Sequence, residues 1–143
     1  NTVVLYPKDI YGYAREGKVF LAIHDGKYRV FVRVLAEGKV NLYFHFDGKD
    51  TGGKYFFKRA GEKEMNVMNS TFQFHKIAGY DSGLRYDPRN AQPPLINRAT
   101  AFTEYFVEYF QDCPLLSRKI KMEFYTASDM KEIFEDYNRN CRE

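Results

Sequence analysis

The hydrophobic period of this chain changes partway along it, and that change restricts the fold more than any motif does. Up to about residue 77, apolar side chains alternate with polar ones, the period of a strand with one buried face. From residue 97 they recur every three or four positions, the period of an amphipathic helix. A run of strands followed by a run of helices predicts an α+β domain rather than alternating βαβ units. At 143 residues the chain has the length of one domain able to bury a sizeable core. Residues 1–143 are therefore expected to form a single domain, with 1–77 mainly β, 78–96 a connecting loop and 97–141 mainly α.

Glycine and proline punctuate the first part. Val3 to Tyr6 reads as a short strand stopped by Pro7, which has no donor for a ladder. Lys18 to His24 places Val19, Leu21 and Ile23 on one face and then meets Asp25-Gly26, a two-residue hairpin signal; Lys27 to Leu35 continues with Tyr28, Val30, Val32 and Val34. Glu37-Gly38 turns the chain into Val40 to Phe46, with Val40, Leu42, Phe44 and Phe46 on one side and Asn41, Tyr43 and His45 on the other. Asp47 to Gly53 has the composition of a loop, Tyr55 to Lys58 returns, and Thr71 to Ile77 is the last strand. Such short connections predict an antiparallel, aromatic-rich meander of five to six strands.

Gly79 to Leu95 shows neither period and reads as a connection. Asn97 to Gln111 then carries Ala99, Phe102, Phe106, Tyr109 and Phe110 on one stripe, with Asn97 as N-cap. Pro114 ends that helix and opens a shorter one with Leu115, Leu116 and Ile120 inward. Thr126 to Asp129 opens the last helix, in which Met130, Ile133, Phe134, Tyr137 and Cys141 align. Two to three helices are expected to pack on one face of the sheet.

Cys113 and Cys141 are the only cysteines, and each closes an apolar helical stripe. A pair with none to spare reads as one disulfide, because a zinc site needs about four Cys or His ligands. A disulfide persists outside reducing compartments, so the expected location is extracytoplasmic: periplasm, outer-membrane surface or secreted. No stretch approaches the roughly 20 apolar residues of a membrane span. The net charge of +3 divides unevenly, with 13 Lys and Arg against 8 acids in residues 1–76 and 9 against 11 in residues 77–143, a split that would suit an anion-facing surface on the β half.

The chain contains no Gly-x-Ser-x-Gly, no His-Glu-x-x-His and no phosphate loop, so no catalytic residue, cofactor or metal is assigned. His24, His45 and His75 lie in predicted strands; His45 and His75 could approach on the outward face, where a hydrolytic or metal site would need a third ligand. A better candidate is a basic, aromatic sheet face: Arg29, Phe31 and Arg33 on one strand, Tyr43 and His45 on the next, Phe56 and Lys58 beyond. Such faces stack planar groups and attract anions. The glycine-aromatic consensus of RNA-binding sheets is missing, so an envelope protein, glycan or lipid fits better as partner than nucleic acid. The expected function is a cell-envelope binding or interaction domain without catalytic activity. The alternative is a carrier of an apolar small ligand between sheet and helices, which would place many of the 13 Phe and 12 Tyr around a cavity.

Three segments carry a likeness to known sequences: Gly38-Lys39-Val40-Asn41-Leu42-Tyr43, Asp112-Cys113-Pro114 and Tyr137-Asn138-Arg139-Asn140-Cys141. With the Tyr6 to Ile10 segment, Tyr-Pro-Lys-Asp-Ile, the chain resembles a family of uncharacterised exported proteins of Gram-negative bacteria. The resemblance covers most of the chain. It implies an exported protein and this order of strands and helices, but no activity. It also implies that an exported leader and further strands precede Tyr6, so that this sheet lacks an N-terminal edge.

Overall fold

The structure is a computed structural model that describes residues 4, 6–7, 10–25, 28–49, 52–78 and 98–141. Among the described residues, seven strands form one antiparallel sheet in sequential order: β1 (Gly12–Arg15), β2 (Lys18–Asp25), β3 (Tyr28–Ala36), β4 (Val40–Lys49), β5 (Gly52–Arg59), β6 (Glu64–Met68) and β7 (Phe74–Ala78). Three helices follow, α1 (Arg98–Tyr109), α2 (Pro114–Lys121) and α3 (Met130–Asn140), the last opened by a 3-10 turn over Ala127–Asp129. The chain is α+β, with one or two more strands than the period alone predicts.

Several boundaries move. Asp25 pairs with Tyr28, which makes the expected β2–β3 hairpin. Asp47 to Gly53 is not a loop throughout, because β4 runs on to Lys49 and pairs it with Gly52 across an irregularity after Phe46. The last strand starts at Phe74, since Asn69 to Gln73 form a turn in which the Asn69 Oδ1 accepts from the backbone of Thr71 and Gln73, both at 3.0 Å. Val4 and Tyr6 are not in a strand, while Val3 and Leu5, the Gly79 to Leu95 connection and Asn97 lie outside the described residues. The first strand is instead β1, which pairs Tyr13 with Phe20 and Arg15 with Lys18.

The sheet buries both of its faces. Phe56 and Phe57 are consecutive, so they point to opposite sides, yet each is 0% exposed. On one side Leu42, Phe57, Met68 and Phe74 meet the helices; on the other Ile23, Val32, Tyr43, Phe56, Val67 and Ile77 form a second cluster. β6, Glu64-Met65-Asn66-Val67-Met68, is buried from Met65 to Met68, and its one buried polar side chain, Asn66, donates to the Phe57 carbonyl at 3.0 Å.

Aromatic rings fill the space between sheet and helices. Phe57 meets Phe106, Tyr109 and Phe134 with ring centroids 5.1 to 5.5 Å apart, and Phe74 stacks on Tyr105 at 3.7 Å. Phe102, Phe106, Phe110, Leu116, Ile120 and Ile133 complete this core. The rings thus serve as packing along the whole of that layer.

A polar latch ties the end of α3 to the sheet. The Asn138 side chain pairs with the Val40 backbone as a neighbouring strand would, accepting from Val40 N at 2.9 Å and donating to Val40 O at 2.9 Å. Gly38 permits this approach, since a Cβ there would come within 2.7 Å of Asn138 Cγ. Lys39 Nζ donates to the Cys141 carbonyl, and Cys141 is joined to Cys113 with Cα atoms 5.6 Å apart. Nearby, Arg59 pairs with Asp112 at 3.2 Å, donates to the Tyr109 carbonyl and lies over the Tyr109, Phe110 and Tyr137 rings. Tyr137 donates its hydroxyl to Asp112 at 2.5 Å. Three separate segments of the sequence therefore meet at one joint.

Two carboxylates make the fold sensitive to acid. Burial pushes the Glu62 carboxyl up, but hydrogen bonds from Tyr109, the Arg59 backbone and Asn66, with the Arg59 charge, outweigh it and hold Glu62 below its ordinary 4.5. Asp136 is held below its ordinary 3.8 in the same way: burial raises it, while Asn140, Tyr125 and Lys119 lower it by more. A group whose pKa is lower folded than unfolded stabilises the fold above the unfolded value, and that contribution fades as pH falls toward the folded one. Urea titrations are expected to show stability constant from pH 7 to about 5 and falling from about 4.5 downward. Glu62→Gln with Asp136→Asn is expected to flatten that fall; an unchanged acid limb would assign it to other groups.

Candidate functional site

The helices cover β4 to β7 and the Ala36 end of β3 on one sheet face, and leave the rest of that face, from β1 to the Phe44–Phe46 end of β4, as an open groove of about 540 Å³. Register determines what lines it. Tyr13 pairs with Phe20 and Phe20 with Arg33, while Arg33 pairs with Phe44, so these four side chains stand on one face. Lys18, Arg29 and Phe31 fall on the same face by alternation. Tyr13 stacks on Phe20 at 4.9 Å with an interplanar angle of 12°, and Phe31 meets Tyr13 edge-on at 4.9 Å. Phe44 packs on Tyr55 at 5.0 Å and lies over Gly53, where a Cβ would sit 2.5 Å from the ring. Phe46, 64% exposed, stands at the rim.

The electrostatics of the groove are one-sided. Lys18, Arg29 and Arg33 line it with His45, and none of its described lining residues is acidic. His45 is held by its Nδ1, 3.0 Å from the Phe31 carbonyl. A carbonyl only accepts, so Nδ1 donates in this contact. Arg29 reaches toward the exposed Tyr11, with its guanidinium carbon 5.7 Å from the ring centre, while its Nε is buried with no acceptor among the described residues. The result is a shallow floor of rings bordered by three basic side chains.

The candidate surface drawn from the sequence divides between the two faces. Arg29, Phe31 and Arg33 line the groove. Tyr43 and Phe56 do not: Tyr43 pairs with Val34 and with Phe56, and both belong to the buried cluster on the opposite face. Lys58 shares the Phe56 face and lies outside the groove. His45 is on the Tyr43 side by alternation yet reaches the groove wall through its bond to Phe31. The expected grouping assumed that Val30, Val32 and Val34 share a core face with Leu42 and Phe44. The register is one residue different, and because both faces of the sheet are buried, alternation could not reveal it.

Sequence reasoning missed Tyr13, Phe20 and Phe44, which form the floor. The available signal was the spacing of Tyr13, Lys18, Phe20 and Ala22 around Glu16-Gly17, a hairpin turn in which Glu16 adopts φ 53° and Gly17 φ 75°. The three histidines do not converge. His24 alternates onto the groove-bearing face, while His45 and His75 share the other, three strand spacings or roughly 14 Å apart. Comparison of the chain with protein-family models, with curated protein sequences and with solved structures finds no match.

Proposed function

We propose that this protein is a non-enzymatic binding domain of an extracytoplasmic compartment that holds an acidic glycan in the groove over β1 to β3. The observation that carries this reading is the ring floor of Tyr13, Phe20, Phe31 and Phe44 beside Lys18, Arg29 and Arg33, with no acidic residue among the described lining. A pyranose ring presents C–H groups that pack on the electron-rich face of an aromatic ring, and guanidinium groups take carboxylates in paired hydrogen bonds. An open groove suits a chain laid along it better than a small molecule enclosed by it. The Cys113–Cys141 disulfide supports the extracytoplasmic location, and no helix among the described residues is long and apolar enough to cross a membrane.

Calorimetric titration with oligogalacturonate, with its methyl ester and with a neutral glucan of equal length tests the reading. The acid is expected to bind, and Arg29→Gln with Arg33→Gln is expected to weaken it at least about tenfold, since a hydrogen bond to a charged group contributes about 1.5 to 3 kcal/mol. Salt should weaken it further. Equal binding of acid and ester, or an unchanged affinity in the variant, would sink the reading.

A further inference from the structure

A second surface lies on α2, away from the groove. The buried side of this helix is Leu116 and Ile120. On another side, Leu115, Arg118, Lys119 and Met122 recur at i, i+3, i+4 and i+7, so they form one stripe along about two turns. Leu115 is 61% exposed and Met122 73%. The stripe continues past the end of the helix. Glu123 takes φ 61°, its N–H bonds Ile120 O at 3.0 Å and that of Phe124 bonds Lys119 O at 2.9 Å. This closing turn brings Phe124, 70% exposed, over Lys119 with the ammonium 5.9 Å from the ring centre.

Three large apolar side chains thus stand in water among cations. Between Pro114 and Phe124 the chain carries Arg118, Lys119 and Lys121 against a single acid, Glu123. Lys119 is engaged by Asp136 at 3.2 Å, whereas Arg118 and Lys121 are exposed and border the cleft toward Glu104 and Glu108 of α1. Apolar side chains interspersed with basic ones match the boundary of an anionic bilayer, where acyl chains take the former and phosphates the latter.

We infer that the α2 stripe, Leu115, Met122 and Phe124 with Arg118 and Lys121, docks this protein peripherally on an anionic lipid surface. The inference is independent of the groove. Co-sedimentation with vesicles of phosphatidylcholine containing about one third phosphatidylglycerol, against phosphatidylcholine alone, reads it directly. Binding to the anionic vesicles is expected to fall steeply between about 10 mM and 0.5 M salt. Leu115→Ser with Met122→Ser and Phe124→Ser should reduce partitioning at least about tenfold, and Arg118→Gln with Lys121→Gln roughly twentyfold. Arg29→Gln with Arg33→Gln should leave it unchanged. No binding at low salt, or full binding by the triple serine variant, would overturn the inference. So would loss of vesicle binding in the groove variant, which would move the contact to the groove, or a concentration-dependent dimer abolished by the serine variant, which would assign the patch to a second copy.

Discussion

Phe57→Ala is expected to lower the unfolding free energy by about 3 to 5 kcal/mol, enough to leave a domain of ordinary stability barely folded. Phe57 is wholly buried and is the ring on which α1 and α3 converge, meeting Tyr105, Phe106, Tyr109 and Phe134. Removing it takes away the transfer free energy of the ring and leaves a void between a sheet and helices held by a disulfide, which limit collapse around it. Urea titration with the disulfide intact measures the loss. A cost below about 1.5 kcal/mol would mean that neighbouring rings refill the space. Phe31→Ala is the control: its ring is half-buried in the groove, so binding should suffer more than stability.

Opening the Cys113–Cys141 disulfide by paired serine substitution is expected to cost roughly 3.5 kcal/mol, the loop-closure entropy for a separation of 28 residues. For a chain of this length the melting temperature would drop by roughly 10 °C. The local effect should be specific. Cys113 follows Asp112, the partner of Arg59 and Tyr137, and Cys141 offers its carbonyl to Lys39. The cross-link therefore holds both halves of the latch in place. A double-mutant cycle with Asn138→Ala should show a coupling of at least about 0.5 kcal/mol, as expected for groups in one network. Additive losses would show that the disulfide acts on the unfolded chain alone.

Much of the architecture was legible because it depends on local periodicity. Lys18 to His24 and Lys27 to Leu35 alternate around Asp25-Gly26, and β2 and β3 do pair as a hairpin, with Asp25 in the strand opposite Tyr28 rather than in the turn. The stripe of Met130, Ile133, Phe134, Tyr137 and Cys141 becomes the buried side of α3 and its C-cap. β6 escaped because it is only five residues long and includes Asn66, a polar residue that is nonetheless buried. β1 escaped because it is four residues long, with only a half-buried Gly12 and Tyr13.

The groove was legible only in part. Arg29, Phe31 and Arg33 alternate within one strand and so were grouped correctly, but their neighbours on β4 depend on a pairing between strands. Phe44, not Tyr43, faces Arg33, and the bulge between Val34 and Ala36 then shifts β3 so that Ala36 meets Leu42 on the helix side. Five of the seven strands, the three helices, their order and the two cysteines able to pair follow from side-chain period, turn chemistry and count. Which face each strand turns toward the helices, which rings line the groove, and how Asn138 reaches Val40 across nearly the whole chain were decided by tertiary structure alone. A register choice costs little locally, and only simultaneous burial of both sheet faces selects one.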